Sequence, residues 1–141
     1  MLNWELRTLP AKLQRYPSGG DYFEDASGKC IILVCEMGNW KYEALVAAHE
    51  ICEYLLVKAA GIKIESIDDY DKQFEREREM GIHGLHDEPG DQPDSPYHVQ
   101  HCIATGIERI LAAALLINWT DYAYAVDSLC FGHAVKKAKK K

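Results

Sequence analysis

The sequence predicts an α+β fold, a small N-terminal antiparallel sheet followed by a mostly helical body, and three observations carry that prediction. A continuous, β-branched apolar run, Cys30 to Cys35, lies early in the chain behind a turn. From Asn39 onward, apolar residues recur at three- and four-residue spacing, the period of a helix with one buried face. Glycine stops and one Gly- and Pro-rich stretch divide that region into separate helices. At 141 residues the chain has the length of one domain, 1–135, carrying a lysine-rich tail, 136–141.

Each element has a local reason. Met1 to Gly20 mixes Trp4, Leu6, Leu9, Leu13 and Tyr16 with two prolines and reads as a short strand or irregular arm closed by Ser18-Gly19-Gly20. Asp21 to Asp25 and Lys29 to Met37 flank Ala26-Ser27-Gly28 and read as a hairpin whose second strand is buried. Asn39 is placed to cap a helix from Trp40 to about Ala60, with Gly61 as its stop. A charged helix, Ser66 to Met80, ends at Gly81, and its run Glu75-Arg76-Glu77-Arg78-Glu79 reads as an exposed face. Gly81 to Pro96 has no period and must be a loop, long enough to serve as a lid or binding loop. Ser95-Pro96 predicts the start of a helix running to about Asn118, and a last helix spans Asp121 to about Val135.

Composition excludes several classes. A chain that is 48% hydrophobic and 27% charged is globular rather than disordered or low-complexity. No apolar run approaches the ~20 residues of a bilayer span, and Met1 to Pro10 lacks a signal-peptide pattern, so the expectation is a cytoplasmic protein with no membrane partner. The five cysteines form no CxxC pair and lie in apolar segments, as free thiols do in a reducing compartment. Five of the 16 basic residues lie in the tail, leaving the body with 11 against 22 acidic residues, a net −11 that makes a poor nucleic-acid surface. Only the tail is basic enough to touch nucleic acid or anionic lipid, and a terminal charge run reads first as a solvated end.

The chemistry centres on His49-Glu50-Ile51-Cys52-Glu53. His49 and Glu53 fall within the apolar stripe of their helix, about 40° apart on adjacent turns, so their side chains can converge. Burying an imidazole and a carboxylate among aliphatics is costly unless both are paired or bound to a cation. Glu50, at the edge of the stripe, would reach a water on that cation. The stretch Val46-Ala47-Ala48-His49-Glu50-Ile51-Cys52-Glu53-Tyr54-Leu55-Leu56 resembles the active-site helix of the zincin metalloproteases, and the whole chain is similar to a group of small phage and prophage proteins. The resemblance implies a zincin-like domain with zinc on His49 and Glu53, Glu50 as general base, and peptide bonds as substrate. Glu53 stands where the family has its second histidine, which leaves manganese or iron open.

A further ligand is expected from the helix begun by Ser95-Pro96. His98, His101, Thr105 and Glu108 share one side of it, opposite the aliphatic Ile103, Ile107, Ile110, Leu111, Ala114 and Ile117. His101 is the first choice, His98 the alternative, and Glu108 an acceptor orienting an imidazole or a fourth ligand. His83, His86, Asp87 and Glu88 belong to a solvated loop with the reach to bind a metal or close over the site. Two other readings stand beside the hydrolase. Glu50-x-x-Glu53 with later acidic residues could hold Mg²⁺ in a helical NTP pyrophosphatase, or the cluster could hold a structural metal in a non-catalytic phage protein.

Overall fold

The computed structural model describes residues 1–138, with side chains through Leu129. Cys130 and the lysine-rich tail 136–141 therefore lie outside the residues whose side chains are described. The architecture is α+β: three strands form one sheet, and four helices follow.

The strands are β1 (Trp4–Leu9), β2 (Gly20–Glu24) and β3 (Cys30–Cys35), in the order β1-β3-β2. All six residues of β3 are buried, as a central strand covered on both faces requires. The hairpin expectation holds for β2 and β3, which pair antiparallel from Gly20↔Val34 to Glu24↔Cys30. The expectation of a wholly antiparallel sheet does not hold. β1 takes the other edge of β3 in parallel, from Trp4↔Cys30 to Leu9↔Cys35. A parallel pair needs a crossover of a dozen or more residues, and residues 10–29, with a 3-10 turn (Ala11–Leu13) and β2 inside them, provide it.

Helix α1 (Trp40–Ala59) begins and ends where its capping residues put it. The Asn39 side chain accepts the Lys41 N–H at 3.0 Å, and Glu43 accepts the Met37 N–H at 2.8 Å. At the far end Gly61 N–H donates to Lys58 O and Ile62 N–H to Val57 O, a Schellman closure that requires the left-handed backbone of Gly61, φ 71°. Helix α2 (Ile64–Glu79) starts two residues before Ser66, and Gly81 closes it in the same way.

Helix α3 (His98–Ala114) departs from expectation at both ends. Ser95 and Pro96 form a turn rather than a cap: His98 N–H donates to Ser95 O, the Ser95 hydroxyl is buried without a partner, and the first intrahelical bond runs from His101 N–H to Tyr97 O. At the other end Leu116 adopts the left-handed conformation, φ 57°, and closes the helix at Ala114, four residues before Asn118. Asn118 instead caps α4 (Trp119–Ala138), its side chain accepting the Asp121 N–H.

The principal core joins Tyr22, Ile32 and Val34 of the sheet to Leu45, Val46 and Tyr54 of α1, with Ala112 of α3 and Tyr122 of α4. Helix α3 turns its polar side to α1. His101, Ala104, Glu108 and Ala112 are buried, whereas Val99, Ile103, Ile107 and Ile110 are exposed. The small Ala104 and Ala112 leave room for two long polar side chains between the helices. Cys102 lies on the exposed side too, so the expectation that every cysteine packs as a small hydrophobe fails there. Among the described residues no helix is long and apolar enough to cross a membrane.

Candidate metal centre

The α1–α3 contact brings His49, Glu53 and His101 to one point. Glu53 Oε2 accepts from His101 Nδ1 at 2.9 Å and from His49 Nε2 at 3.1 Å, and the two imidazole rings meet edge to face at 4.8 Å. Every other hydrogen-bonding atom of this group is also satisfied, as burial demands. Tyr22 OH donates to Glu53 Oε1 at 2.8 Å. His49 Nδ1 donates to Glu108 Oε2 at 2.8 Å, and Tyr122 OH donates to Glu108 Oε1. Glu108 thus sits as an acceptor behind His49.

Glu50 follows a different logic. Its side chain lies against β2, where a Cβ on Gly20 would stand 2.7 Å from Glu50 Cγ and Oε1, so only glycine fits at the start of that strand. Among the described residues its carboxyl makes no hydrogen bond. It lines the same cavity as His49, Glu53, His101 and Glu108, a space of about 920 Å³ walled by residues 15–22, all four helices and the loop after α2.

The electrostatics separate the two glutamates. Burial pushes Glu53 up, but the hydrogen bonds from His101 and His49 outweigh it and hold the carboxyl at about 2. Burial raises Glu50 well above the usual carboxylate range, against the pull of His49 and with the repulsion of Glu53 and Asp21 adding to it. Burial opposes the charged form of His101, yet Glu53 and Glu88 lift it to about 10. His49 is raised likewise by Glu108 and Glu53 against its burial. The carboxylates around the two imidazoles thus favour their charged forms.

His98, the alternative ligand, stands off from this point. Its Nδ1–H donates to Gly90 O at 3.0 Å and its ring lies near Cys102 Sγ, so it ties the loop to α3 instead of facing Glu53. Of the loop residues, Glu88 reaches the site, with Oε2 3.3 Å from His101 Nε2. His83 stacks on Phe74, His86 lies 3.5 Å from Asp127, and Asp87 accepts the Gly84 N–H. Sequence reasoning missed Tyr22, Tyr122, Gly20 and Asp91, whose Oδ1 is 3.2 Å from His101 Nε2. The only signal for Tyr22 was its place on the inward face of a strand paired to a buried one. Arg78 was also missed: rather than facing solvent, its guanidinium binds the carbonyls of Gly84, Leu85 and Asp87 and anchors the loop.

No protein-family model, curated protein or solved structure matches this chain.

Proposed function

We propose that this chain is a metal-dependent hydrolase acting on peptide bonds, holding one divalent ion, zinc by preference, on His49 Nε2, Glu53 Oε2 and His101 Nδ1, with Glu50 as general base. The observation that carries this reading is the convergence of two imidazole nitrogens on one buried carboxylate oxygen in the wall of a cavity of ligand size. Ligand atoms around a tetrahedral ion at ~2.0 to 2.1 Å stand about 3.3 Å apart; the two nitrogens stand 2.9 and 3.1 Å from Glu53 Oε2, and the three atoms lie within 4.8 Å of one another. Two histidines and a glutamate are also a donor set of catalytic zinc sites that keep a fourth position open. Manganese and iron suit the same donors and are the alternative ions.

A bound ion supplies a polarised carbonyl and a water of lowered pKa. The protein supplies the rest. Glu108 holds the His49 ring by Nδ1, leaving Nε2 for the ion, and Tyr22 fixes the carboxylate plane of Glu53. Glu50, in the wall of the same cavity as His49, Glu53 and His101, takes the proton of the attacking water and returns it to the leaving amine. The four described cysteines are free, in keeping with the reducing cytoplasm we assign to the protein.

Magnesium-dependent pyrophosphate hydrolysis ranks second. Arg15 is engaged by Asp21 and Asp68, and Arg78 by Glu75 and the loop, so neither of these two cavity-lining guanidiniums is free to grip phosphates. Digestion of a peptide library by zinc-loaded protein tests the proposal. Cleavage is expected in the wild type and a fall of ~10² or more in Glu50→Gln with zinc retained. Zinc bound without cleavage supports a structural ion, and zinc lost from Glu50→Gln makes Glu50 a ligand.

A further inference from the structure

His101 is held from two sides, and the second side is a loop. The 3-10 turn Pro89–Asp91 carries Glu88 and Asp91 to the far nitrogen of the ring, with Asp91 Oδ1 at 3.2 Å and Glu88 Oε2 at 3.3 Å from Nε2. Between them Gly90 lies flat on the imidazole. A Cβ there would stand 2.4 Å from His101 Cγ and 2.6 Å from Nδ1, so the contact admits only glycine. The loop is itself fastened at both ends of this contact: Gly90 O accepts from His98 Nδ1, one turn before His101 on α3, and Asp87 O accepts from Arg78 on α2.

We propose that Glu88 and Asp91 are positioning residues that grip His101 by its Nε2–H, so that Nδ1 is the nitrogen presented to Glu53 and to the ion. The argument is geometric. An imidazole whose Nε2 stands 3.2 and 3.3 Å from two carboxylate oxygens and whose face is covered by Gly90 has neither a free Nε2 nor room to flip. His49 is held in the opposite sense, by Nδ1 on Glu108, and offers Nε2. The two ligands therefore meet the ion through different nitrogens, each backed by carboxylate on its other side, an arrangement that raises ligand basicity and fixes the tautomer. It also gives a use to His98, whose hydrogen bond to Gly90 O sets the height of the turn above the ring.

The inference rests on the metal reading above, and the test separates the two. Glu88 and Asp91 have half-exposed side chains, so Glu88→Ala with Asp91→Ala leaves the fold in place, and Glu88→Gln with Asp91→Asn restores acceptors without charge. Zinc affinity and the ¹⁵N shifts of the His101 ring are read in all three proteins. The double alanine variant is expected to bind zinc 10- to 100-fold more weakly. Its His101 ring is expected to exchange between Nδ1- and Nε2-bound forms, and the amide variant to recover the Nδ1-bound form. Wild-type affinity with Nδ1 still bound in the double alanine variant overturns the proposal. So does a wild type that takes two zinc ions and a double alanine variant that takes one, since the loop carboxylates would then be ligands of their own ion. In metal-free protein a slowly exchanging Nε2–H signal, present in the wild type and lost on double alanine substitution, supports the grip even where zinc fails to bind; that failure alone counts against the metal reading. Absence of the signal from the wild type overturns the grip.

Discussion

Gly20 decides where the Glu50 side chain can sit. With Glu50 Cγ and Val46 Cγ1 both 2.7 Å from the position a Cβ would take, Gly20→Ala must push the glutamate off β2 or the strand off α1. Overpacking of this kind costs ~1 to 3 kcal/mol, and we expect chemical denaturation of Gly20→Ala to show a loss in that range. Asp71 gives a pH signature. It is buried, accepts a hydrogen bond from Tyr97 OH at 2.7 Å, and is lifted to about 7 by burial and by the charge of Glu53, with the Tyr97 bond pulling the other way. An unfolded aspartate titrates near ~3.9, so the folded state holds the proton more tightly. Stability from this group is full below about pH 4 and is lost as the pH rises to about 7. Asp71→Asn keeps an acceptor for Tyr97 and removes the charge. Its melting temperature should exceed that of the wild type at pH 8, with the gain gone at pH 4.

At the scale of the element, helix ends were readable where a capping residue marked them and not elsewhere. Asn39 and Gly61 bound α1 because each has the chemistry its position needs. Ser95-Pro96 carries the same kind of signal but is consumed by a turn, because Tyr97 must swing inward to reach Asp71. The end of α3 had no signal, since Leu116 performs the left-handed closure that glycine performs after α1 and α2. The left-handed region costs a side-chain-bearing residue roughly 1 to 2 kcal/mol, and Leu116 is 90% exposed, so little packing is lost on replacing it. Leu116→Gly should therefore stabilise the protein by about 1 kcal/mol, after the entropy of the added glycine, and raise the melting temperature by a few degrees. The face of α3 shows the limit of periodicity. Its aliphatic stripe resembles a core face, but the buried side is the one whose histidine and glutamate find partners on α1.

Over the whole molecule, the α+β order and the α1–α3 meeting of His49, Glu53 and His101 could be read from the sequence, because both rest on local pattern and on the cost of burying unpaired polar groups. The parallel pairing of β1 and the approach of Asp91 could not. Both depend on where a distant segment returns, the first through a crossover of residues 10–29 and the second through a loop whose fit on His101 depends on a single glycine. The proposed ion site joins His49 and Glu53 of α1 to His101 of α3. Elemental analysis of protein purified without added metal or a histidine tag, dialysed against zinc and freed of excess, tests it most directly. We predict about one zinc per chain in the wild type, near-normal occupancy in Glu50→Gln, and loss in His49→Ala. Zinc absent from the wild type, or bound equally by His49→Ala, would contradict an ion site at His49, Glu53 and His101.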